Sequence, residues 1–157
     1  MERRKFLTLS AGVIGMAFMA PKALAKAVDK ITKSDEYWQN KLTDMQYYVL
    51  RKEGTERSGT SPLNYEKRVG SYHCAGCDLE LFKSEQKYDS GTGWPSFFDV
   101  VKGHVETKRD FKLIYPRTEY HCARCGGHQG HVFKDGPKPT GLRYCNNGVA
   151  LTFKERA

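Results

Sequence analysis

The sequence predicts a mainly β domain with short helices at its N-terminal end. From Gly70 onward, short stretches of β-forming residues are interrupted by Gly, Pro, Asp and Asn. This pattern is typical of an antiparallel β domain rather than of alternating β and α units. Candidate strands lie at 112–115, 131–133 and 149–153. The chain has 157 residues, 39% of them hydrophobic, which is enough for one compact domain but too little for two.

Two short helical patterns follow the polar segment 26–33. In the second, Thr43 and Gln46 have the spacing of a capping box, in which each side chain binds a free backbone amide of the other residue. The next residues place an apolar stripe on one helix face: Met45, Tyr48 and Val49. Gly54 suits the helix end. We expect this helix to pack across the β domain, because such a stripe is typical of a protein core.

The first 25 residues have the organisation of an export signal. Arg3 and Arg4 precede an apolar run at 6–20, and the small residues Ala23 and Ala25 follow it as a cleavage site. The run is shorter than the ~20 apolar residues that span a bilayer, so a permanent anchor is not favoured. The paired arginines resemble a bacterial twin-arginine signal, which implies export after folding; a general secretory signal is the alternative.

These features predict a signal peptide at 1–25, a linker at 26–33 and the functional domain at 34–157. The protein is expected in the periplasm or otherwise exported, without stable membrane insertion once the signal is cleaved. The net charge of +8 includes four basic residues and one acid of the predicted signal. The remaining Lys and Arg are interspersed with acids and form no long basic block, so no nucleic-acid partner is predicted.

Four of the five cysteines form two matching pairs. Residues 72–77 read Tyr-His-Cys-Ala-Gly-Cys, and residues 120–125 repeat this as Tyr-His-Cys-Ala-Arg-Cys. A two-residue gap lets both sulfurs of a tight turn face one ion, and two such turns complete a closed tetrahedral site. We therefore predict one structural zinc ion with four ligands: Cys74, Cys77, Cys122 and Cys125. Disulfides are the alternative, because an export compartment is oxidising.

A histidine precedes each pair, and His73 or His121 could replace a cysteine as a zinc ligand. In a strand that leads into the turn, these side chains would point away from the metal, so we expect neither to bind it. A site filled by four cysteines has no vacant position and stabilises folding rather than performing catalysis.

Cys145 is the cysteine left over. It could be an inert buried residue, as a lone cysteine usually is. Its neighbours favour a reactive thiol, because Arg143 can stabilise the thiolate electrostatically. Asn147 would share the face of Cys145 if the chain is extended there.

Five motifs in this order resemble the methionine-R-sulfoxide reductases of the B type. They are Ser-Gly-Thr-Gly-Trp-Pro-Ser-Phe at 90–97, Gly-His-Gln-Gly-His-Val-Phe at 127–133, Asp-Gly-Pro at 135–137, Gly-Leu-Arg-Tyr-Cys-Asn-Asn at 141–147, and the two cysteine pairs. The resemblance runs from about residue 34 to 153. It implies two antiparallel sheets with short N-terminal helices, and a structural zinc ion remote from the active site.

The resemblance also implies roles for residues at the matching positions. Cys145 would attack the sulfoxide sulfur, and Trp94 and Phe133 would bind the substrate, with Trp94 holding its methyl group. The remaining catalytic residues would be polar: His128, His131, Asp135, Arg143 and Asn147. The implied partners are oxidised proteins or peptides and a thioredoxin-like or other thiol reductant. The protein is expected to act as a monomer.

These roles agree with the chemistry of the substrate. Methionine sulfoxide presents an apolar methyl group, an electrophilic sulfur and a polar oxygen, so its site needs an aromatic face, a thiolate and proton donors. His128 and His131 can deliver protons, and Asp135 would orient one of them. Taken alone, Trp94 would be core packing and Asp135 a turn residue.

The recycling step departs from a common pattern of this family. Many members carry a second cysteine at the position of Thr92, and a threonine cannot form a disulfide. Because the other four cysteines are assigned to zinc, we expect an external thiol to reduce the Cys145 sulfenic acid. Sacrificing a zinc ligand as the resolving thiol is the alternative, at a large cost in folding energy.

Two other classes of function share some of these features. A zinc-ribbon binding module would explain the cysteine pairs and the positive charge, but not Cys145, Trp94 or the histidines. A disulfide oxidoreductase would need an exposed Cys-x-x-Cys at the start of a helix.

Overall fold

Two helices and nine strands form the part of the chain that the computed structural model describes, residues 27–156. The predicted signal peptide lies outside these residues. Within them, no helix has the length and apolar character needed to cross a membrane.

The helices begin as their capping residues predict. Helix α1 spans Asp35–Lys41, and the Ser34 side chain accepts a hydrogen bond from the Tyr37 amide at its start. Helix α2 spans Asp44–Lys52. Both hydrogen bonds of the predicted capping box are present, from the Gln46 amide to the Thr43 hydroxyl and from the Thr43 amide to the Gln46 side chain.

The buried face of α2 differs from the predicted stripe. Val49 is buried, but Met45 and Tyr48 are about half exposed, and Leu50 is buried in their place. The reason is that Leu50 of α2 packs against Gly127, which has no side chain. A Cβ at Gly127 would lie 3.0 Å from the Leu50 side chain. The helix does lie across the β domain, as expected. It ends with Glu53 in the left-handed conformation, one residue before the predicted Gly54.

The strands form two antiparallel sheets, as predicted. Their bounds are β1 Gly70–Cys74, β2 Glu80–Lys83, β3 Lys87–Tyr88, β4 Ser96–Phe97, β5 Val105–Asp110, β6 Arg117–Cys122, β7 His128–Phe133, β8 Arg143–Asn146 and β9 Leu151–Glu155. The smaller sheet has the order β2-β1-β9 and the larger β3-β4-β8-β7-β6-β5. Short 3-10 helices span Pro62–Asn64, Ser84–Gln86 and Gly148–Ala150.

The prediction of a strand at 112–115 is wrong. Of the other two predicted strands, 131–133 lies within β7, and 149–153 is a 3-10 turn followed by β9. Residues 111–116 form the loop that joins β5 to β6, which we call the β5–β6 loop. The Asp110 carboxylate accepts a hydrogen bond from the Lys112 amide and turns the chain, and Pro116 cannot donate to a ladder. Four apolar residues are therefore exposed in this loop: Phe111, Leu113, Ile114 and Tyr115.

The core lies between the two sheets and is largely aromatic. Phe82 of the small sheet stacks on Phe97 of the large sheet, with ring centroids 4.0 Å apart. Tyr72 of β1 meets the same Phe97 ring edge-on at 4.9 Å. These contacts fix the inner face of the large sheet, so that its outer face is available for a site.

Candidate active site and metal centre

The two cysteine pairs meet at one point. Their four Sγ atoms lie within 4.8 Å of one another, and we call them the cysteine quartet: Cys74, Cys77, Cys122 and Cys125. The Sγ atoms of Cys74 and Cys125 are 3.6 Å apart, and those of Cys77 and Cys122 are 3.4 Å apart. A zinc ion with four sulfurs at about 2.3 Å requires sulfur–sulfur distances of about 3.8 Å. The spacing therefore fits zinc and is too long for disulfides.

The quartet joins the two sheets. Cys74 is the last residue of β1 in the small sheet, and Cys122 is the last residue of β6 in the large one. The Gln129 side-chain amide donates a hydrogen bond to the Cys74 sulfur at 3.4 Å, a contact that supports a thiolate ligand. The quartet can hold a structural zinc ion that fixes the relative position of the sheets.

The two histidines beside the quartet do not belong to it, as predicted. The ring nitrogens of His73 contact the Ser71 hydroxyl at 2.8 Å and the Asp78 carbonyl at 3.0 Å. His121 Nδ1 contacts a Glu119 carboxylate oxygen at 3.0 Å.

Cys145 lies within β8, between Ser96 of β4 and His131 of β7. Because residues directly opposite in an antiparallel pair share a face, the Cys145 and His131 side chains lie next to each other. Gly130 lets the strands approach here, since a Cβ at this position would lie 1.9 Å from the Cys145 carbonyl oxygen. The thiol lines a cavity of about 130 Å³, which we call the active-site cavity.

Five of the eight predicted site residues line this cavity: Trp94, His131, Phe133, Cys145 and Asn147. The cavity is completed by four further residues: Thr55, Arg117, Gly130 and Asn146. A larger cleft of about 580 Å³ lies on the other side of Trp94 and shares only that residue with the cavity. The smaller cavity is the candidate site because it contains the thiol and a histidine.

The Cys145 thiol is held mainly in its protonated form. Burial raises the pKa of this thiol, while the Arg143 guanidinium lowers it by less. Arg143 does favour the thiolate, as expected from the sequence. Its charge is shared, however, with Asp135, whose carboxylate accepts two hydrogen bonds from the guanidinium at 2.8 and 2.7 Å. Thiolate formation therefore needs a proton acceptor in the site.

A β-bulge brings the two predicted histidines to the same face. In a regular strand, residues three apart lie on opposite faces. Here Tyr120 pairs with Gly130 and His121 pairs with His128, so Gln129 is an extra residue on β7. The rings of His128 and His131 are consequently 5.6 Å apart. Only His131 lines the cavity, because His128 is buried.

Asp135 does not orient a histidine, and the expectation that it would do so is wrong. It pairs with Arg143 instead. Asp135 lies just after the end of β7, and Arg143 is the first residue of the neighbouring strand β8. Two carboxylates that the sequence did not single out take the predicted role. Asp110 accepts from His131 Nε2 at 2.7 Å, and Glu119 accepts from His128 Nδ1 at 2.7 Å.

The protonation of His131 follows from these contacts. Hydrogen bonds from the Lys112 amide, His131 and Arg117 hold the pKa of Asp110 well below its usual range, so this group is an ionised acceptor. His131 Nε2 must then carry the proton. Burial lowers the pKa of His131, which leaves Nδ1 unprotonated at neutral pH. His131 can accept a proton at Nδ1 and return it.

Glu56 is a third residue that sequence reasoning missed. Its carbonyl oxygen accepts a hydrogen bond from the Trp94 indole at 3.1 Å, and its amide donates to the Asn147 side chain at 3.0 Å. Its buried carboxylate binds the backbone amides of Gly148 and Val149. One residue thus fixes the aromatic wall, Asn147 and the turn after β8. No motif in the sequence marks it, because its partners are distant along the chain.

The two rival functions do not fit this geometry. Both cysteine pairs follow strands rather than begin helices, and three of the four cysteines are buried. This is unlike the exposed pair of a disulfide oxidoreductase. A zinc-ribbon binding module would not require the thiol, histidine and indole to meet in a cavity.

Comparison with known proteins gives a consistent result. The model of the SelR domain family matches residues 42–155. A Methanosarcina barkeri protein is 53% identical over 125 residues, which cover 79% of this chain and 88% of the relative. A Bradyrhizobium diazoefficiens protein is 49% identical over 138 residues, covering 87% and 99%. A Pseudomonas putida protein is 53% identical over 131 residues, covering 82% and 98%. Each of the three carries the name peptide methionine sulfoxide reductase MsrB.

The zinc assignment predicts that Cys122→Ser loses stoichiometric metal and unfolds at a lower temperature, because three thiolates cannot hold zinc as a closed tetrahedral site. Elemental analysis and thermal unfolding of the purified protein measure both effects. Cys145→Ser is the matched control and should keep one zinc ion per chain. Full thermal stability of metal-free wild-type protein would contradict a structural role.

Proposed function

This chain belongs to the SelR domain family and is a methionine-R-sulfoxide reductase, and we propose that the Cys145 thiol is the group that attacks its substrate. The observation that carries the proposal is the position of Cys145, which lines the active-site cavity opposite His131 and beside Trp94. The other four cysteines of the chain belong to the quartet.

The lining of the cavity suggests how the substrate is oriented. Trp94 and Phe133 are the apolar surface for the methyl group, and the polar side chains of His131, Asn147 and Arg117 surround the sulfoxide oxygen. The Arg143 guanidinium lies 4.3 Å from the centre of the Phe133 ring and holds it in place.

The reaction then needs one proton transfer and one oxygen transfer. His131 Nδ1 takes the proton of the Cys145 thiol, and the resulting thiolate forms a bond to the sulfoxide sulfur. The oxygen receives the proton from His131 and forms a bond to the Cys145 sulfur, while its bond to the substrate sulfur and the bond between the two sulfurs break. Methionine leaves, and Cys145 becomes a sulfenic acid, so the protein sulfur is oxidised by two electrons and the substrate is reduced by two.

A thiol reductant restores the enzyme. The first external thiol displaces water from the sulfenic acid and forms a mixed disulfide with Cys145, and a second thiol releases Cys145. We assign this role to a thioredoxin-like dithiol, because the described cysteines other than Cys145 are in the quartet. Cleaving one of them at each cycle would dismantle the joint between the sheets.

The exposed β5–β6 loop supports protein-bound sulfoxide as the substrate. The loop begins directly after Asp110, which contacts His131, and ends directly before Arg117, which lines the cavity. Leu113 and Ile114 are 57% and 96% exposed. The active-site cavity is too small for a polypeptide, so the residues that flank the sulfoxide must lie on its rim. We assign this apolar loop to apolar side chains of the oxidised substrate, with the enzyme acting as a monomer.

Export through the twin-arginine route, with a signal at 1–25 and a linker at 26–33, is also part of the proposal. The arginine pair and the quartet support it together, since zinc loaded before export would protect the thiolates from the oxidising periplasm. No nucleic acid and no lasting membrane insertion are involved.

The reaction predicts a clear stereochemical result. With a small dithiol as reductant, the wild-type protein should reduce the R epimer of methionine sulfoxide and leave the S epimer unchanged. Without reductant it should form about one equivalent of methionine per chain, because no internal thiol recycles Cys145. Chromatography of the products measures both. Activity of a folded, zinc-loaded Cys145→Ser protein would refute the assignment of the nucleophile.

The loop assignment predicts that Leu113→Ser with Ile114→Ser raises the KM for an oxidised peptide with apolar flanking residues by about tenfold, since two apolar contacts are lost. The kcat/KM for N-acetyl-methionine sulfoxide should stay at its wild-type value, because that substrate does not reach the loop. Val69→Ser, which removes an exposed apolar side chain at the small sheet, is the control. A raised KM for the reductant instead would assign the loop to the reductant.

The export route predicts that Arg3→Lys together with Arg4→Lys retains a tagged chain in the cytosol. Cell fractionation measures this. Arg57→Lys, outside the signal, serves as the control. Unchanged export of the double variant would exclude the twin-arginine route.

A further inference from the structure

A polar cleft lies along β3, the edge strand of the large sheet, and both residues of that strand, Lys87 and Tyr88, line it. It is the cleft of about 580 Å³ that shares Trp94 with the active-site cavity, and we call it the Lys87 cleft. The cleft also reaches Tyr72, a fully buried residue whose hydroxyl has no hydrogen-bond partner within the described residues. Apart from Trp94, the proposed reaction uses none of these groups.

The Lys87 ammonium is only partly satisfied by the protein. It donates to the Asn64 carbonyl oxygen at 3.0 Å, which leaves two of its three donors free. Burial lowers the pKa of Lys87, because the group has lost hydration and, within residues 27–156, contacts no carboxylate. An anion in the cleft would supply both the hydrogen-bond acceptors and the missing charge.

The remaining charges leave the cleft positive. Its charged lining residues are Lys67, Arg68, Lys87, Glu66 and Asp89. Arg68 is shared by two carboxylates, Glu66 at 2.5 Å and Glu155 at 2.7 Å. Two lysines, neither in an ion pair with a described residue, then face one acid, the exposed Asp89. The cleft therefore attracts a negatively charged group.

The sheet order places the cleft and the β5–β6 loop on opposite sides of Cys145. Strand β8, which carries Cys145, lies two strands from β3 and two strands from β6. Neighbouring strands are about 4.8 Å apart, so each side is about 10 Å from the thiol. An extended chain covers this distance with about three residues. A polypeptide whose methionine sulfoxide occupies the active-site cavity can therefore reach the loop with one flank and the cleft with the other.

We infer that the Lys87 cleft binds an acidic side chain of the oxidised substrate, about three residues from the methionine sulfoxide. The inference rests on the proposed function, since the active-site cavity fixes where the sulfoxide lies. Lys87 binds the carboxylate with its two free donors, and the exposed Lys67 adds a second positive charge. The favoured substrate then has apolar residues on one flank and an acid on the other.

Matched peptides test the inference. Each peptide carries one methionine-R-sulfoxide and one glutamate, three residues before or three residues after it, and its partner peptide has glutamine in place of the glutamate. With a small dithiol as reductant, the wild-type kcat/KM should be about fivefold higher for the glutamate peptide of one pair than for its glutamine partner. The difference should lie in KM and shrink at high salt, because salt screens the charges.

Variants of the lysine assign the preference to the cleft. Lys87→Met has a similar length without the charge, so its glutamate-to-glutamine ratio should fall to about one. Lys87→Arg keeps the charge and should retain most of the preference. Lys102→Met, which removes an exposed lysine outside the cleft, is the control and should keep the wild-type ratio. Zinc content and melting temperature show that each variant is folded.

The outcomes separate the possible failures. A wild-type ratio near one for both pairs of peptides, or a ratio that Lys87→Met leaves unchanged, overturns the inference. If Lys87→Met raises the KM for a thioredoxin-like reductant and leaves the peptide ratio unchanged, the cleft belongs to the reductant and the inference is wrong.

Two further results decide the remaining cases. Failure of the wild-type protein to reduce N-acetyl-methionine-R-sulfoxide would reject the proposed function, and the inference with it, whereas reduction of this substrate without any peptide preference rejects the inference alone. If Lys87→Met does not fold, Lys67→Met must lower the ratio, and an unchanged ratio there refutes a positive binding site in the cleft.

Discussion

The meeting of four sulfur atoms at the ends of β1 and β6 is the constraint on which the rest of the structure depends. It joins two sheets that otherwise hold together through an aromatic core, and a series of hydrogen bonds leads from it into the site. Gln129 binds the Cys74 sulfur with its side chain, and its carbonyl oxygen accepts from Asn147. Asn147 accepts from the Glu56 amide, and the Glu56 carbonyl binds the Trp94 indole. The metal centre takes no part in the chemistry, yet the aromatic wall is positioned relative to it.

The site itself balances a desolvated thiol against groups that can make it ionise. A buried thiol is protected from indiscriminate reaction, because only the thiolate is strongly nucleophilic. Arg143 is already shared with a carboxylate, so His131 is the group that can shift the balance by taking the thiol proton. The ionised Asp110 keeps the proton on Nε2 of His131, so the nitrogen available to the thiol is Nδ1. Cys145 is therefore most reactive when a substrate is present whose oxygen can take up the proton that His131 removes from the thiol.

The sequence predicted the features that depend on local spacing. The capping box of Thr43 and Gln46 and each of the two cysteine pairs follow from residues within a few positions of one another, and the matching of the two pairs predicted that they meet. Motif resemblance supplied most of the cavity residues. The partners of the histidines could not be predicted, because the bulge at Gln129 sets which residues face one another. Glu56 could not be predicted for a similar reason, since its backbone and its carboxylate both bind residues of distant segments. The β-forming residues at 112–115 have no partner strand, and β propensity alone does not create one.

The half-buried position of Cys77 has a consequence for how the protein is inactivated by oxidants. The other three members of the quartet are buried, so Cys77 is the corner through which a chelator or a small oxidant reaches the metal. Oxidants that convert methionine to its sulfoxide also oxidise thiolates, so the half-buried Cys77 is the member of the quartet that they reach first. Damage there would dismantle the metal centre without touching Cys145, which lies far along the chain. Resistance to inactivation and catalytic rate are consequently set by different cysteines and can change independently of each other.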